Sequence, residues 1–153
     1  MLEIAVLWFM SKEKELLLAQ RSATKKFHPS EWGPTVTGTA EDGETPEQTL
    51  VREVEEELGL KSGVDYSPKF LFKVDFNHQD GRVRRFSIFY DIVEKNIVDK
   101  FKLDVDEVAG VKWLPMEKIK ELLLVETNEF KMAIVPSAKD VWPKTFHMLS
   151  EKC

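Results

Sequence analysis

Several features that would point to other classes of protein are scarce or missing. The only cysteine, Cys153, is the last residue, so no disulfide can form within the chain and a catalytic thiol is disfavoured. A reducing, cytoplasmic environment is therefore expected. No run of about 18 apolar residues is present, which argues against a membrane span. The apolar run at 4–10 follows Glu3 and is too short for a secretory signal.

Positive charge is also in short supply. There are 22 lysines and arginines against 27 acidic residues, which gives a net charge of −5. A surplus of negative charge argues against general nucleic-acid binding, which needs a basic surface. It does not exclude a nucleotide substrate, because metal ions can supply the attraction. With 153 residues, of which 42% are hydrophobic, a single domain spanning 1–153 is expected.

The surplus of negative charge is concentrated between positions 41 and 57, where eight acidic residues accompany one base, Arg52. Thr45 followed by Pro46 is a typical helix start, because threonine can cap the helix and proline fits its first turn. Gly59 is a typical helix end. We therefore predict a helix between these signals. Its apolar stripe would consist of Leu50, Val51, Val54 and Leu58.

Three carboxylates of this helix share one face. At about 100° per residue, Glu53, Glu56 and Glu57 fall within roughly a 100° arc, with Arg52 beside them. Like charges at this spacing repel, and one arginine offsets only part of the repulsion. A hard divalent cation would offset the remainder, because Mg²⁺ prefers oxygen ligands. For a generic run of glutamates, a solvated helix face is the alternative.

These acids also stand at fixed offsets from two glycines. The segment Gly38–Leu60 matches all nine fixed positions of G-x5-E-x7-REU-x-EE-x-GU, where U is aliphatic. The chain therefore resembles the Nudix hydrolases, which cleave a nucleoside diphosphate linked to another group, X. The resemblance implies the α/β (α+β) class, as a Nudix-type α/β/α sandwich with a mixed β-sheet between helices. The order of strand and helix patterns along the chain suits that arrangement.

The resemblance also implies roles for individual residues. Mg²⁺, or Mn²⁺ in its place, would be bound by three side chains and one backbone carbonyl: Glu53, Glu56, Glu57 and Thr37. Arg52 would orient the glutamates, and Glu44 would support that arrangement. The general base would be Glu53 or a loop acid such as Glu107. For Glu107, an exposed loop acid without a role is the alternative.

Four residues outside the box are candidates for substrate contacts, each with a plain alternative. Arg21 lies in the segment LLLAQRS, which resembles the strand that precedes the box in many Nudix proteins, and it would face the substrate or end a strand in solvent. Trp32 would stack on a base or fill the core. Arg84, in a basic cluster, would bind a polyphosphate or protect a sheet edge. Asn128 would bind the base edge, as in MutT-type relatives, or occupy a turn.

The expected reaction is Mg²⁺-dependent hydrolysis of a phosphoanhydride, most simply by a (d)NTP-type pyrophosphatase. The VTGxxExGET pattern also resembles the dihydroneopterin triphosphate pyrophosphatase branch, whereas the Pro-Gly-Gly of many MutT-like relatives is absent. An isopentenyl diphosphate isomerase would have a cysteine before the box, and none is present at 32–38. The net charge disfavours an RNA-end pyrophosphohydrolase. A non-catalytic nucleotide sensor would have lost box acids. The expected partner is a small nucleotide-type substrate, and a homodimer stays open.

Overall fold

The computed structural model describes residues 1–124 and 136–152, which form a mixed seven-stranded sheet with helices on both faces. The elements are β1 (Leu2–Met10), β2 (Glu15–Arg21), β3 (Trp32–Gly33), β4 (Val36–Thr39), α1 (Pro46–Leu58), β5 (Lys69–Asn77), β6 (Val83–Ile92), a 3-10 helix (Lys95–Lys100), β7 (Val108–Pro115), α2 (Met116–Leu124) and α3 (Pro136–Ser150). This confirms the predicted mixed sheet between helices. In the described residues, no helix is long and apolar enough to span a membrane.

Strand β1 lies at the centre of the sheet and has different partners on its two sides. On one side it pairs in parallel with β6, from Leu2↔Arg84 to Met10↔Ile92. On the other side it pairs with β2 only at Met10↔Leu16, and it pairs with β4 over residues 4–7. Strand β2 instead forms its long ladder with β7. Because β1 and β2 diverge, a cleft opens between β2 and β4.

Thr35 connects the two diverging strands. Its side chain is buried, accepts a hydrogen bond from the Phe9 N–H at 3.0 Å and donates one to the Leu17 carbonyl at 2.6 Å. Buried backbone groups must be paired, and here one hydroxyl pairs a donor of β1 with an acceptor of β2. The divergence therefore leaves neither of these two groups without a partner.

Residues of β1 alternate between two apolar cores, as expected for a strand buried on both faces. Trp8 and its even-numbered neighbours pack with α2 and α3, while Leu7 and the odd-numbered ones pack with α1. Three residues of the predicted stripe on α1 are fully buried: Leu50, Val54 and Leu58. The apolar stripe of α1 thus packs against the sheet. The acidic face of the helix lies next to β4, beside the cleft.

Candidate active site

The ends of α1 agree with the prediction from the sequence. Thr45 is the N-cap, and it forms a reciprocal capping box with Gln48. Gly59 ends the helix in a left-handed conformation with φ 72°, and its N–H donates to the Glu55 carbonyl. These two caps fix the first and last turns of the helix. They therefore fix the direction in which its glutamates point.

Arg52 connects the loop before α1 to the acidic face of the helix. Its Nε and Nη2 donate to the two oxygens of Glu44, at 2.9 and 3.0 Å. Its Nη1 donates to Glu53 at 2.8 Å and to Glu56 at 3.4 Å, and Nη2 also reaches the Thr39 carbonyl at 3.2 Å. A bidentate guanidinium–carboxylate pair is geometrically specific. Arg52 therefore holds Glu53 in one position relative to β4.

Glu44 is the anchor of this network. Besides Arg52, it accepts hydrogen bonds from the Glu41 N–H at 2.8 Å and the Thr49 hydroxyl at 3.1 Å. The hydrogen bonds from Arg52, followed by that from Glu41, lower the pKa of Glu44 to about 2. The same pairing raises the pKa of the Arg52 guanidinium. Glu44 is thus a fixed negative charge that holds the Arg52 guanidinium in place.

Gly38 leaves the space that Glu53 occupies. A Cβ atom added at Gly38 would lie 2.6 Å from Cδ of Glu53 and closer still to its Cγ. No larger residue fits at position 38 unless Glu53 moves. Burial raises the pKa of Glu53, although the neighbouring Arg52 opposes that shift. The glycine of the sequence pattern therefore allows a half-buried carboxylate to lie against β4.

Glu57, one turn beyond Glu53, is the most strongly perturbed acid of the helix. Burial, followed by the charges of Glu53 and Glu107, raises the pKa of Glu57 to about 8, although the charges of Lys25 and Arg21 oppose the shift. Three carboxylates from α1 and the loop before β7 are therefore close enough to repel one another. Such repulsion in a buried place is a common property of functional sites.

The chemistry of this cluster suits a hard divalent cation. Carboxylate oxygens are the preferred ligands of Mg²⁺, and a cation would remove the repulsion between Glu53 and Glu57. Across 1–124 and 136–152, no group of three aspartate, glutamate, histidine or cysteine side chains is arranged closely enough to bind a metal ion without rearrangement. Part of the reason is visible, since Arg52 holds Glu53 and Lys25 holds Glu107. Glu56 is more exposed, with 57% of its side chain accessible.

A cavity of about 170 Å³ adjoins the acids in the cleft between β2 and β4. Its polar lining includes charged and hydrogen-bonding side chains: Gln20, Arg21, His28, Thr35, Thr37, Glu57 and Glu107. Its apolar lining comes from both sides of the cleft and from α3: Val6, Trp8, Ala19, Val36, Phe86, Ile88, Val108, Val141 and Trp142. The acids therefore border a pocket that is apolar within and charged at one side.

The residues predicted to bind substrate are distributed unevenly around this cavity. Arg21 lines it, and its Nε donates to the Phe27 carbonyl at 3.0 Å. Trp32 is partly buried and packs against the core on the α3 side instead of lining the cavity. Arg84 does not line it either, since β6 contributes Phe86 and Ile88. Asn128 lies outside the described residues.

Several features of the site were not found from the sequence. Lys25 contacts Glu107, His28 lines the cavity and pairs with Glu31 at 2.7 Å, and Thr35 joins β1 to β2. None of these three residues was among the site candidates taken from the sequence. The available signal was the concentration of basic and polar residues in 21–28, directly before the box. Nothing in that signal predicted which of them faces an acid.

Comparison with known proteins identifies the family of this chain. The family model of the NUDIX domain matches residues 1–134. The chain belongs to the Nudix hydrolase family. The Arabidopsis thaliana protein "Nudix hydrolase 3" is 30% identical over 151 residues, which cover 95% of this chain and 19% of that protein. The chain thus spans about a fifth of that relative's length.

Two further similarities bear on fold and chemistry. The Nudix chain is 25% identical over 134 residues to the isopentenyl-diphosphate Delta-isomerase of Salmonella typhi, covering 87% of this chain and 72% of the isomerase. A solved Deinococcus radiodurans structure superposes with a TM-score of 0.73 at 19% identity, covering 93% of this chain and 82% of that one. The structural match shows a shared fold.

Proposed function

We propose that this Nudix chain is a Mg²⁺-dependent hydrolase, with Mn²⁺ as a substitute, acting on a phosphoanhydride of a nucleoside diphosphate linked to X. The simplest form is a (d)NTP-type pyrophosphatase that releases pyrophosphate. The observation that carries the proposal is the cluster of Glu53, Glu57 and Glu107, of which Glu57 and Glu107 line one cavity. Three mutually repelling carboxylates next to a pocket have little structural value, but they suit cations and a polyphosphate.

Each residue of the cluster has a proposed task. Glu53, Glu57, the more exposed Glu56 and the backbone carbonyl of Thr37 would hold the cations. When bound, such cations neutralise charge on phosphate oxygens and lower the pKa of the attacking water. Glu53 or Glu107 would then take the proton from that water.

The supporting residues act on position. Arg52 keeps Glu53 against β4, and Glu44 keeps Arg52 in its bidentate geometry. Arg21, which lines the cavity, would bind a phosphate oxygen of the substrate. Little covalent work is left to the protein in phosphoryl chemistry, so rate depends on this positioning and on charge.

Isomerisation of a short diphosphate is the second candidate. It is favoured by the similarity to the Salmonella isomerase and by the apolar side of the cavity. Against it, the isomerase family uses a cysteine before the box, and the residues at 32–38 include none. The two reactions differ in what they release, because isomerisation leaves the diphosphate intact.

The test is a substrate panel with Mg²⁺, followed by phosphate and pyrophosphate release. The panel contains dNTPs, oxidised dNTPs, dihydroneopterin triphosphate, ADP-ribose, nucleotide sugars, dinucleoside polyphosphates, capped RNA and isopentenyl diphosphate. Pyrophosphate from one triphosphate, lost in Glu57→Gln, is the expected result. Isomerised isopentenyl diphosphate without phosphate release would replace hydrolysis by the second candidate. Binding of nucleotides without turnover of any member would overturn the enzyme proposal.

A further inference from the structure

The loop between β2 and β3 is held against the residue that carries the third carboxylate. The Ser22 N–H donates to the Glu107 carbonyl at 3.0 Å, and the Lys25 N–H donates back to the Ser22 carbonyl at 3.2 Å. The hydroxyls of Ser22 and Thr24 are 2.9 Å apart, which tightens the turn. These backbone contacts place the Lys25 side chain next to Glu107 without depending on the side chains themselves.

Lys25 and Glu107 form a close ion pair beside the acids of α1. The Lys25 Nζ lies 2.5 Å from Oε2 of Glu107, and only 26% of the lysine side chain is exposed. Lys25 also acts on Glu57, since its charge lowers the pKa of that carboxyl. The neighbouring Lys26 is exposed, and its Nζ lies 5.6 Å from the centre of the Phe27 ring. Of these two adjacent lysines, Lys25 is the one that faces the acidic cluster.

We propose that Lys25 is a placeholder counter-ion, which competes with a divalent cation for Glu107 and, once displaced, binds a phosphate of the substrate. The inference rests on the proposed function, because it extends the cation site proposed at Glu53, Glu56 and Glu57 to the neighbouring carboxylate of Glu107. A lysine suits this exchange, since its compact ammonium sits on a flexible four-carbon stem and can turn from a carboxylate to a phosphate. The backbone hydrogen bonds of the loop keep the ammonium beside Glu107, next to the acids at which the substrate phosphates would bind.

The first test measures cation binding without substrate, by calorimetric titration of Mn²⁺ into wild type, Lys25→Met and Lys26→Met. Methionine keeps most of the length of the unbranched side chain and removes the charge. Removing the competitor should lower the Mn²⁺ dissociation constant of Lys25→Met by about two- to fivefold, as expected for a partly exposed ion pair. Lys26→Met, the matched control, should bind like wild type. Unchanged or weaker Mn²⁺ binding by Lys25→Met would overturn the proposal.

The second test measures binding of methylenediphosphonate, a diphosphate analogue that cannot be hydrolysed, at saturating Mn²⁺. Lys25→Met should bind it about tenfold more weakly, because a charge-assisted contact is lost, and Lys25→Arg should recover part of that loss. In turnover, the change should appear in KM more than in kcat. Equal binding of the analogue by wild type and Lys25→Met would overturn the phosphate-binding step.

Failure of this inference differs from failure of the proposed function. If wild type binds no Mn²⁺, or if Glu57→Gln binds it as tightly as wild type does, the metal site itself is overturned. If wild type binds Mn²⁺, Glu57→Gln loses it and Lys25→Met matches wild type, only the role of Lys25 is overturned.

Discussion

Replacing Thr35 by valine should destabilise the protein far more than a change of one hydroxyl to a methyl suggests. The two side chains are nearly the same size, so packing is preserved. What is lost is the acceptor for the Phe9 N–H and the donor for the Leu17 carbonyl. Both backbone groups lie where β1 and β2 diverge, with 1% of Thr35 and none of Phe9 or Leu17 exposed. Water therefore cannot readily replace the hydroxyl.

The expected cost follows from these two orphaned groups. A buried donor or acceptor left without a partner costs about 1–3 kcal/mol, so two such groups cost on the order of 4 kcal/mol. For a chain of this length, 1 kcal/mol shifts the melting temperature by about 2–4 °C, and Thr35→Val should melt roughly 10 °C lower. Thr35→Ser keeps the hydroxyl and loses one methyl group, at a cost of about 1 kcal/mol.

Urea denaturation followed by circular dichroism measures these differences directly. Thr39→Val is a matched control, because Thr39 stands on the exposed side of β4, and it should stay within about 0.5 kcal/mol of wild type. Amide exchange gives a local readout, since the Phe9 N–H should exchange faster in Thr35→Val. A Thr35→Val protein within about 1 kcal/mol of wild type would refute the claim that this hydroxyl joins the strands.

Three further predictions concern the acids and the glycine beside them. Glu57→Gln should fold normally and lose most of its activity, because the Glu57 carboxylate is repelled by its acidic neighbours and forms no salt bridge with any residue that the structure describes; unchanged turnover would remove Glu57 from the site. Gly38→Ala should lower kcat about a hundredfold by displacing Glu53, while Gly110→Ala, where nothing lies within 4 Å of an added Cβ, should be near neutral in the same assay. Because Arg52 lowers the pKa of Glu44 to about 2, the stability from this pair is present above the ordinary pKa of 4.5 and is lost as the pH falls toward 2. Melting curves of wild type and Glu44→Gln should therefore converge in that window, and a constant gap between them would contradict the assignment.

The sequence predicted the helix and its acidic face well because both depend on local interactions. Thr45, Gly59 and the apolar stripe are signals within one helix, and each acts over a few residues. The site around the helix depends on long-range pairing instead. Thr35 and Lys25 are separated from their partners by up to 82 positions, and no periodic pattern marks such contacts. The short 3-10 helix Lys95–Lys100 was likewise not predicted. Its six residues mix charged and apolar side chains without a regular hydrophobic periodicity.

Two of the predicted substrate-binding residues show that residue type alone does not identify a site residue. Arg21 and Arg84 are both arginines near strand ends, and no local pattern distinguishes one from the other. In the fold, Arg21 ends the strand that diverges from β1, and it lines the cavity, whereas Arg84 lies at the beginning of the continuous β1–β6 ladder and does not line it. The divergence of β1 from β2 is bridged by the buried Thr35 hydroxyl. It therefore determines which basic side chains lie near the acids of α1. It follows that the loop carrying Lys25, which continues directly from Arg21, is the place where substitutions should change substrate binding while leaving the acidic helix unaltered.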